Sequence, residues 1–324
     1  MSAAEQIKSL IKSFGEGDED RFFTSALQIA ASEARKGHTT LAQELKSLIE
    51  KAKNTRSLSF VDRSKTIPIL QPKRELKELL DVFQPKIKLK DMILDMEIRS
   101  SLFKLVREQE NWEILQKYNL SPRRKLLLTG PPGCGKTMTA QALAGELGIP
   151  VFIIRLDGLV SKFMGESISK LRLIFDAMQE SRGVYLFDEF DSIGSHRNQG
   201  QDVGEIKRVL NSFLINIEKD QSNSIIIAAT NLPEMLDKAL FRRFDDVIQY
   251  PLPTVVEIVD TLKKNLQGFT FETRINFMEI ARNSEGLNYS EIVKACEDTI
   301  KEMIINGTKK LSKSDLIQAI EKRK

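Results

Sequence analysis

The chain has 324 residues, 41% of them hydrophobic and 29% charged, a composition typical of a globular protein and not of a disordered or fibrous one. A formal net charge of +4 over this length indicates no particular partner, and no apolar run approaches the roughly 18 residues that cross a bilayer. Two cysteines are too few for a disulfide framework, and the opening MSAAEQIKSL lacks the apolar run of a signal peptide, so we expect a cytoplasmic protein.

Residues 1–56 predict three short amphipathic helices. The first ends at Gly15, the second ends at Gly37, and the third begins at Thr40. The predicted buried face of the third helix comprises Leu41, Leu45, Leu48 and Ile49. Because short helices are stable only when they pack on one another, we expect a three-helix bundle.

Residues 57–88 are rich in proline and charge, which predicts a linker with one short helix near 73–83. Beyond it, apolar runs of strand length alternate with amphipathic helices. The predicted strands are 125–130, 151–156, 184–187, 224–230 and 247–251. This alternation predicts an α/β domain at 89–250, with a largely parallel sheet and helices on both faces. Helical segments near 254–267, 274–284, 288–305 and 312–322 then predict a small all-helical domain at 251–324.

The run KLLLTGPPGCGKT contains a phosphate-binding loop. Residues 130–137 match G-x-x-x-x-G-K-[ST] between an apolar run and a helix, which is the context that the motif requires. Backbone N–H groups and the helix dipole favour phosphate oxygens there, Lys136 would reach the β- and γ-phosphates, and the Thr137 hydroxyl would bind Mg²⁺. The residues expected to contact ATP are Gly130, Pro131, Pro132, Gly133, Cys134, Gly135, Lys136, Thr137 and Met138.

An acidic pair supplies the second half of such a site. In VYLFDEFD, residues 184–191, four apolar residues place Asp188 and Glu189 at the carboxyl end of a strand, where open α/β folds bind ligands. We expect Asp188 to hold Mg²⁺, directly or through water. We expect Glu189 to orient and deprotonate the water that attacks the γ-phosphate.

The order and spacing of GPPGCGKT, FDEFD, AATN (228–231) and LDKALFRRFDD (236–246) resemble those of AAA+ ATPases. Over roughly residues 88–324, the chain is similar to the branch that contains spastin- and katanin-like ATPases, membrane-scission ATPases, proteasomal ATPases and FtsH-like proteases. The resemblance implies a P-loop NTPase fold with a helical lid, ATP and Mg²⁺ as cofactors, and Asn231 as the sensor of the γ-phosphate. It also implies that Arg242 and Arg243 act as arginine fingers in a neighbouring subunit's site, within a homo-oligomeric ring whose expected form is a hexamer.

The segment SKFMGES, residues 161–167, matches the first pore loop of that branch position by position. The resemblance implies that Lys162, Phe163 and Met164 line a central channel and contact a polypeptide; the alternative is an aromatic side chain packed in the core. The polar stretch 195–205 falls where the family has a second pore loop, and a surface loop without that role is the alternative.

Two further segments, KDMIL (90–94) and EGLNYSEI (285–292), resemble those beside the adenine in the family. The residues that the resemblance places near the base are Asp91, Met92, Ile93 and Gly286. The positions that depart from the family pattern are Leu94, Tyr289, Glu291 and, after the RRFD run, Asp246.

These features predict an ATP-driven ring motor that threads or remodels protein substrates through a central pore, with the N-terminal bundle selecting a substrate or partner. The layout also resembles bacterial ATPases encoded beside a subtilisin-like serine protease in phage defence, so a separate serine protease is an expected partner. One alternative is a nucleic-acid-directed loader or switch ATPase, against which the aromatic pore loop argues. A second is a scaffold that binds ATP without hydrolysing it.

Overall fold

The computed structural model describes residues 25–26, 29–30, 32, 37–38, 42–49, 76, 79–159, 166–191 and 203–324, without the side chains of 157–158, 203–207 and 238. The chain divides into two compact units, Met1–Thr66 and Ile67–Lys324. None of the described helices is long and apolar enough to span a membrane.

In the first unit, the described residues are helical at 25–26, 29–30, 32 and 42–49. The half-buried stripe of the last segment comprises Ala42, Leu45 and Ile49, at the three- and four-residue spacing of one helix face. Leu48 is 60% exposed, so its predicted burial is wrong; it lies one position off that stripe. The first predicted helix, Thr40 and Leu41 lie outside the described residues.

Six strands form one sheet in the described part of the second unit: β1 (Leu80–Phe83), β2 (Lys125–Thr129), β3 (Val151–Ile154), β4 (Val184–Phe187), β5 (Ile225–Thr230) and β6 (Asp246–Gln249). Their spatial order is β1-β3-β4-β5-β2-β6, and β2 to β6 pair in parallel. β4 and β5 are continuous apolar runs because helices cover both faces of a central parallel strand. The predicted parallel α/β fold is therefore confirmed, together with its five predicted strands.

The short helix predicted near 73–83 is wrong at residues 80–83, which form β1 and pair antiparallel with β3. Burial alternates along β1, as expected for an edge strand with one covered face. Asp81 forms an ion pair with Arg155, which follows β3, at 2.6 Å. The local sequence has helical spacing, but the free edge of β3 offers backbone hydrogen bonds, and tertiary pairing overrides local propensity. The segment 57–88, predicted as a linker, thus contains a strand of the sheet.

Helices cover both faces of the sheet: α1 (Met96–Glu110), α2 (Trp112–Lys117), α3 (Lys136–Leu147), α4 (Leu156–Leu159), α5 (Glu166–Glu180), α6 (Val203–Lys219) and α7 (Lys238–Phe241). Alternation along β2 shows the two layers. Leu126 and Leu128 pack in a cluster with α1 and α3, whereas Leu127 packs in the cluster that contains α5 and α6. The core is therefore split by the sheet into two apolar layers.

Four further helices share a core of their own: α8 (Val255–Asn265), α9 (Phe277–Arg282), α10 (Tyr289–Ile305) and α11 (Lys313–Glu321). We call these four helices the lid. Thr254 and Glu257 form a capping box at the start of α8, which satisfies backbone N–H groups that the helix leaves without partners. The four helices predicted after residue 251 are confirmed.

The strand order brings three loops together. β2 lies between β5 and β6, and β4 lies beside β5, although these strands are far apart in the sequence. Because neighbouring parallel strands end at the same edge of a sheet, the residues that follow β2, β4 and β5 meet at its carboxyl edge.

Gly145 of α3 lies where the segment before α1 crosses the helix. A Cβ there would lie 2.0 Å from the carbonyl oxygen of Ile87 and 3.3 Å from that of Pro85. We expect Gly145→Ala to lower the free energy of unfolding by about 1–3 kcal/mol, although such a change inside a helix ordinarily raises it by up to about 1 kcal/mol. Urea unfolding followed by circular dichroism measures the change, and a gain in stability would contradict the tight crossing.

Candidate active site

A cavity of about 680 Å³ lies at the carboxyl edge of the sheet, between the sheet and the lid. The lining residues that the sequence predicts are Asp91, Met92, Ile93, Pro132, Gly133, Cys134, Gly135, Lys136, Thr137, Met138, Asp188, Glu189 and Asn231. The lid adds two residues of the 285–292 segment that is expected beside the adenine, Tyr289 and Ser290. It also adds residues for which the motifs predict no contact, namely Thr261, Lys264, Asn265, Val293, Lys294 and Glu297. Segments remote in sequence therefore meet around a volume that suits a small organic ligand.

The loop after β2 has glycine at two positions where φ is positive and where the backbone lies too close to another residue for a side chain to fit. Gly130 has a φ of 135°, and a Cβ there would lie 2.1 Å from the carbonyl oxygen of Tyr250. Gly133 has a φ of 72°, and a Cβ there would lie 2.5 Å from Oδ1 of Asn288. Lys136 then begins α3, so the loop lies at the positive end of a helix dipole.

Lys136 is buried, and three oxygens hold its ammonium group. Nζ donates to the carbonyl oxygens of Gly130 and Pro131, both at 2.7 Å, and to Oδ1 of Asn231 at 2.8 Å. Burial lowers the pKa of Lys136 because the charged form loses solvation. Since these three acceptors are neutral, the ammonium group would form stronger hydrogen bonds if anionic phosphate oxygens replaced them.

Thr137 and Asp188 bring two hard oxygen donors together. The Thr137 hydroxyl donates to Oδ2 of Asp188 at 2.6 Å. Mg²⁺ binds few protein oxygens and keeps water and phosphate oxygens as its other ligands. The pair therefore fits this ion.

Glu189 directly follows Asp188 and has a φ of 50°, in the left-handed region that is uncommon outside glycine. Its backbone N–H donates to Oδ1 of Asp188 at 3.0 Å. Strained backbone of this kind persists where the surrounding structure over-determines it. The turn that ends β4 thus keeps two adjacent carboxylates at the cavity.

Asp191 belongs to the site, although the motifs assign it no role. Its Oδ1 accepts hydrogen bonds from Thr230 Oγ1 at 2.9 Å and from the backbone N–H of Asn231 at 3.1 Å. The carboxylate therefore ties the turn after β4 to the turn after β5. Its only sequence signal is its place at the end of FDEFD.

The lid contacts the phosphate loop and the segment beside it. The carbonyl oxygen of Gly133 accepts a hydrogen bond from the backbone N–H of Ser290 at 3.2 Å. Nζ of Lys264 donates to the carbonyl oxygen of Asp91. The lid is thus joined to both ends of the cavity.

Two departures from the family pattern have structural partners here. Glu291 accepts a hydrogen bond from the backbone N–H of Asn288 at 2.8 Å, within the capping box of α10. Asp246 forms an ion pair with Arg123 at 3.2 Å. Both residues are therefore accommodated by local contacts at the positions where the family pattern has others.

Several residues predicted at the site do not line the cavity. Gly130 and Pro131 contribute only the carbonyl oxygens that hold Lys136. Gly286 lies in an exposed turn with a φ of 92°, and Tyr289 of the same segment lines the cavity in its place, so the predicted contact of Gly286 is not supported.

The two predicted arginine fingers also lie away from the cavity of their own chain. Arg242 is exposed at the end of α7, and Arg243 forms an ion pair with Glu218 at 3.5 Å. The predicted pore residues Lys162, Phe163 and Met164 lie outside the described residues, as does the stretch 195–202 of the second predicted pore loop.

Comparison with known proteins gives one family. The model of the "ATPase family associated with various cellular activities (AAA)" matches residues 126–252. The chain is 33% identical over 324 residues to the "Uncharacterized AAA family ATPase y4kL" of Sinorhizobium fredii, an alignment that covers 99% of this chain and 95% of that protein.

Other relatives match over a shorter part. The chain is 33% identical over 217 residues to a proteasome-activating nucleotidase of Methanoregula boonei, covering 65% of this chain and 50% of that protein. It is 33% identical over 216 residues to the ATP-dependent zinc metalloprotease FtsH of Mycoplasmopsis synoviae, covering 64% of this chain and 32% of that protein.

Asp191 gives a test of the site's geometry. We expect Asp191→Ala to lower kcat for ATP hydrolysis about 10- to 100-fold with little change in the Kd for ATP, because it releases Asn231, the expected sensor of the γ-phosphate, and leaves the phosphate loop unchanged. Asp191→Asn keeps one acceptor oxygen and should retain most of the turnover. Steady-state phosphate release and nucleotide titration measure both quantities, and an unchanged kcat in Asp191→Ala would exclude this positioning role.

Proposed function

Since the chain belongs to the AAA family of ATPases, we propose that it is a ring motor that uses ATP hydrolysis to thread or remodel a polypeptide through a central channel. The observation that carries the proposal is the convergence of Lys136, Asp188, Glu189 and Asn231 on one cavity, from loops that follow three different strands. This set contains the groups that phosphoryl transfer to water requires: charge on the phosphates, a base, and a residue that orients the γ-phosphate end.

Each side chain has a defined task in the proposed reaction. Lys136 leaves the loop carbonyls for the phosphate oxygens, and Asn231, released from Lys136, hydrogen-bonds the γ-phosphate or the attacking water. Glu189 accepts a proton from that water as its oxygen bonds to phosphorus and the bond to the β-phosphate oxygen breaks. Thr137 and Asp188 would hold Mg²⁺, which would supply positive charge to the phosphate oxygens when bound.

Assembly is proposed because no arginine lines the cavity within the part of the chain that the structure describes. Arg242 is exposed, and among the described residues its guanidinium group has no hydrogen-bond or ion-pair partner, whereas Arg243 is held by Glu218 and donates to the Ala239 carbonyl oxygen at 3.5 Å. This contrast favours Arg242 as the residue that reaches a neighbouring subunit, in a ring that we take to be hexameric.

Mixing two inactive variants tests action between subunits. We expect Arg242→Ala to lower kcat about 10³-fold or more, and Glu189→Gln to bind ATP without hydrolysing it. In a mixed ring, a site that keeps Glu189 can receive Arg242 from a Glu189→Gln neighbour, so mixing should restore part of the phosphate release.

The control variant is Arg282→Ala, which changes an exposed arginine at the end of α9. It should hydrolyse ATP like the wild type. Mass photometry checks that the two variants co-assemble. If the mixture then releases phosphate no faster than the sum of the separate variants, Arg242 lies outside the active site.

A protein substrate is proposed from the segment 160–165. It follows β3 and α4 and precedes α5, and β3 ends at the same sheet edge as β2 and β4. The SKFMGES sequence offers an aromatic and a polarizable apolar side chain, which can grip varied side chains without a fixed hydrogen-bond pattern. The names of the relatives, a proteasome-activating nucleotidase and a metalloprotease, also support a protein substrate.

A separate protease is the proposed partner. The chain contains no H-E-x-x-H motif, so it carries no zinc protease of that type. The resemblance to ATPases paired with a subtilisin-like serine protease supports a serine protease in this role, with phage defence as its setting.

A substrate trap tests the proposed cargo. Glu189→Gln, purified with ATP from its native cells and treated with nuclease, should retain a discrete polypeptide that is lost when Phe163→Ala is added. Phe163→Ala alone should hydrolyse ATP at nearly the wild-type rate, because the residue is outside the hydrolytic set, and Phe163→Tyr should keep the cargo. Mass spectrometry identifies what is bound.

Two results would contradict the proposal. Nuclease-sensitive DNA or RNA in place of protein would favour a loader or switch ATPase, whose turnover should then fall steeply with salt in the presence of nucleic acid. If the polypeptide remains bound to the variant that carries both Glu189→Gln and Phe163→Ala, then Phe163 is not the residue that grips it.

A further inference from the structure

A second cavity, of about 390 Å³, lies at the amino edge of the sheet, and we call it the amino-edge pocket. Residues of α1 and α2 and of the segments that precede β2, β4 and β5 line it. Because parallel strands begin at the edge opposite to the one where they end, the pocket is separate from the proposed ATP site. The two cavities share no lining residue among those that the structure describes.

The charge of one lining arginine is already balanced. The guanidinium group of Arg124, which precedes β2, donates to the carboxylate of Asp220 and to the carbonyl oxygen of the same residue. Asp220 is buried and also accepts a hydrogen bond from the side-chain amide of Gln179 on α5 at 3.1 Å. This ion pair therefore ties neighbouring elements together and adds little net charge to the pocket.

Arg182, which precedes β4, carries the unbalanced charge. Its guanidinium group donates to Oε1 of Gln109 at 3.4 Å, and no carboxylate among the described residues forms an ion pair with it. Gln109 is buried and is held in turn by its own donation to the Arg123 carbonyl oxygen at 2.7 Å. The pocket thus presents one positive charge, with unused hydrogen-bond donors, on a residue that is exposed to solvent.

The concave surroundings act on this arginine. Partial burial lowers the pKa of Arg182, and no charged neighbour contributes to that change. An arginine keeps its charge under such conditions, and it is more weakly hydrated than an ammonium group. Arg182 is therefore suited to exchange its remaining water for an anionic partner.

An aromatic ring lines the same pocket. Trp112, at the start of α2, is the only tryptophan of the chain and is half-buried. Tryptophan and arginine are the side chains that most often dominate the binding energy of protein interfaces. The other side chains of the described lining, apart from Pro122, are amides and hydroxyls. Amides such as those of Gln116 and Asn223 both donate and accept, so they suit the N–H and C=O groups of a peptide.

The single unbalanced charge selects the class of anion. A carboxylate carries one negative charge and pairs with a guanidinium group through two parallel hydrogen bonds. A phosphate monoester carries a charge of about −1.5 to −2, which Arg182 alone would leave partly unbalanced. An acidic side chain of a polypeptide therefore fits the pocket better than a phosphate does.

We propose that the amino-edge pocket binds an acidic segment of a partner protein. An Asp or Glu carboxylate of that segment binds Arg182, and an apolar side chain beside it packs on Trp112. A partner bound there leaves the ATP cavity open, so binding at this pocket does not depend on the proposed motor activity.

Selection from a random peptide library tests the proposal. Phage that display random heptapeptides are depleted on immobilised Arg182→Ala protein and then selected on the wild type. We expect the enriched peptides to contain Asp or Glu beside an apolar residue. A synthetic copy of an enriched peptide should change the intrinsic fluorescence in a saturable manner, and this signal reports on the pocket because Trp112 is the only tryptophan.

Variants of both partners measure the contribution of the ion pair. We expect Arg182→Ala to weaken peptide binding about tenfold or more. Arg182→Lys keeps the charge without the two-pronged geometry and should bind with intermediate affinity. The peptide with Asn or Gln in place of its acid should lose as much affinity as the alanine variant does.

Arg99→Ala is the matched control. It removes an exposed arginine of α1 that does not line the pocket, and it should bind the peptide like the wild type. Trp112→Ala, measured by isothermal titration because it lacks the fluorophore, should also weaken binding. Circular dichroism checks that each variant folds, and the amide form of the peptide tests the charge on the unchanged protein.

Three results would overturn the proposal. The first is a selection that enriches no acidic peptide, or a peptide whose acid and amide forms bind equally well. The second is inorganic phosphate that changes the fluorescence of Trp112 at lower concentrations than the peptide does, which would indicate a phosphate site. The third is a smaller assembly of Arg182→Ala in mass photometry, which would show that a second copy of this chain occupies the pocket.

Discussion

The buried ammonium group of Lys136 is the interaction on which the site depends. A charged group away from water must be surrounded by acceptors, and here the phosphate loop supplies two carbonyl oxygens and Asn231 supplies a third. These acceptors come from residues that follow β2 and β5, so the charge can be satisfied only when the two strands lie side by side. Sheet pairing and site chemistry thus impose the same arrangement.

The loop is equally constrained from outside. Gly130 has no room for a side chain beneath the Tyr250 carbonyl oxygen, and Gly133 has none beside Asn288. The carbonyl oxygen of Gly133 is also bound to the start of α10. The helical part of the chain is therefore in direct hydrogen-bond contact with the loop that is proposed to bind the phosphates.

Within the described residues, no arginine lines the cavity of its own chain. Asp188, Glu189, Lys136 and Asn231 lie at one cavity. The two arginines that follow α7 lie elsewhere, one exposed and one held by an ion pair. An exposed arginine stays hydrated, so it costs the folded monomer little free energy. Its electrostatic interaction is strongest when it contacts a phosphate at a subunit interface. In the proposed ring, hydrolysis therefore depends on assembly, because the positive charge of Arg242 acts in the site of a neighbouring subunit.

The sequence by itself determined the elements whose information is local. The apolar runs of β2, β4 and β5, the loop at 130–137 and the acidic pair after β4 all follow from contiguous residues, because strand burial and loop glycines leave direct patterns. Only the tertiary structure decided what depends on distant partners. β1 is a strand because β3 has a free edge, and Asp191 is a site residue because Thr230 and Asn231 come to it from 39 and 40 residues away. The lid side of the cavity also depends on distant partners. α8 contacts Asp91 and α10 contacts the phosphate loop, each across more than a hundred residues, and no local periodicity encodes such a pairing.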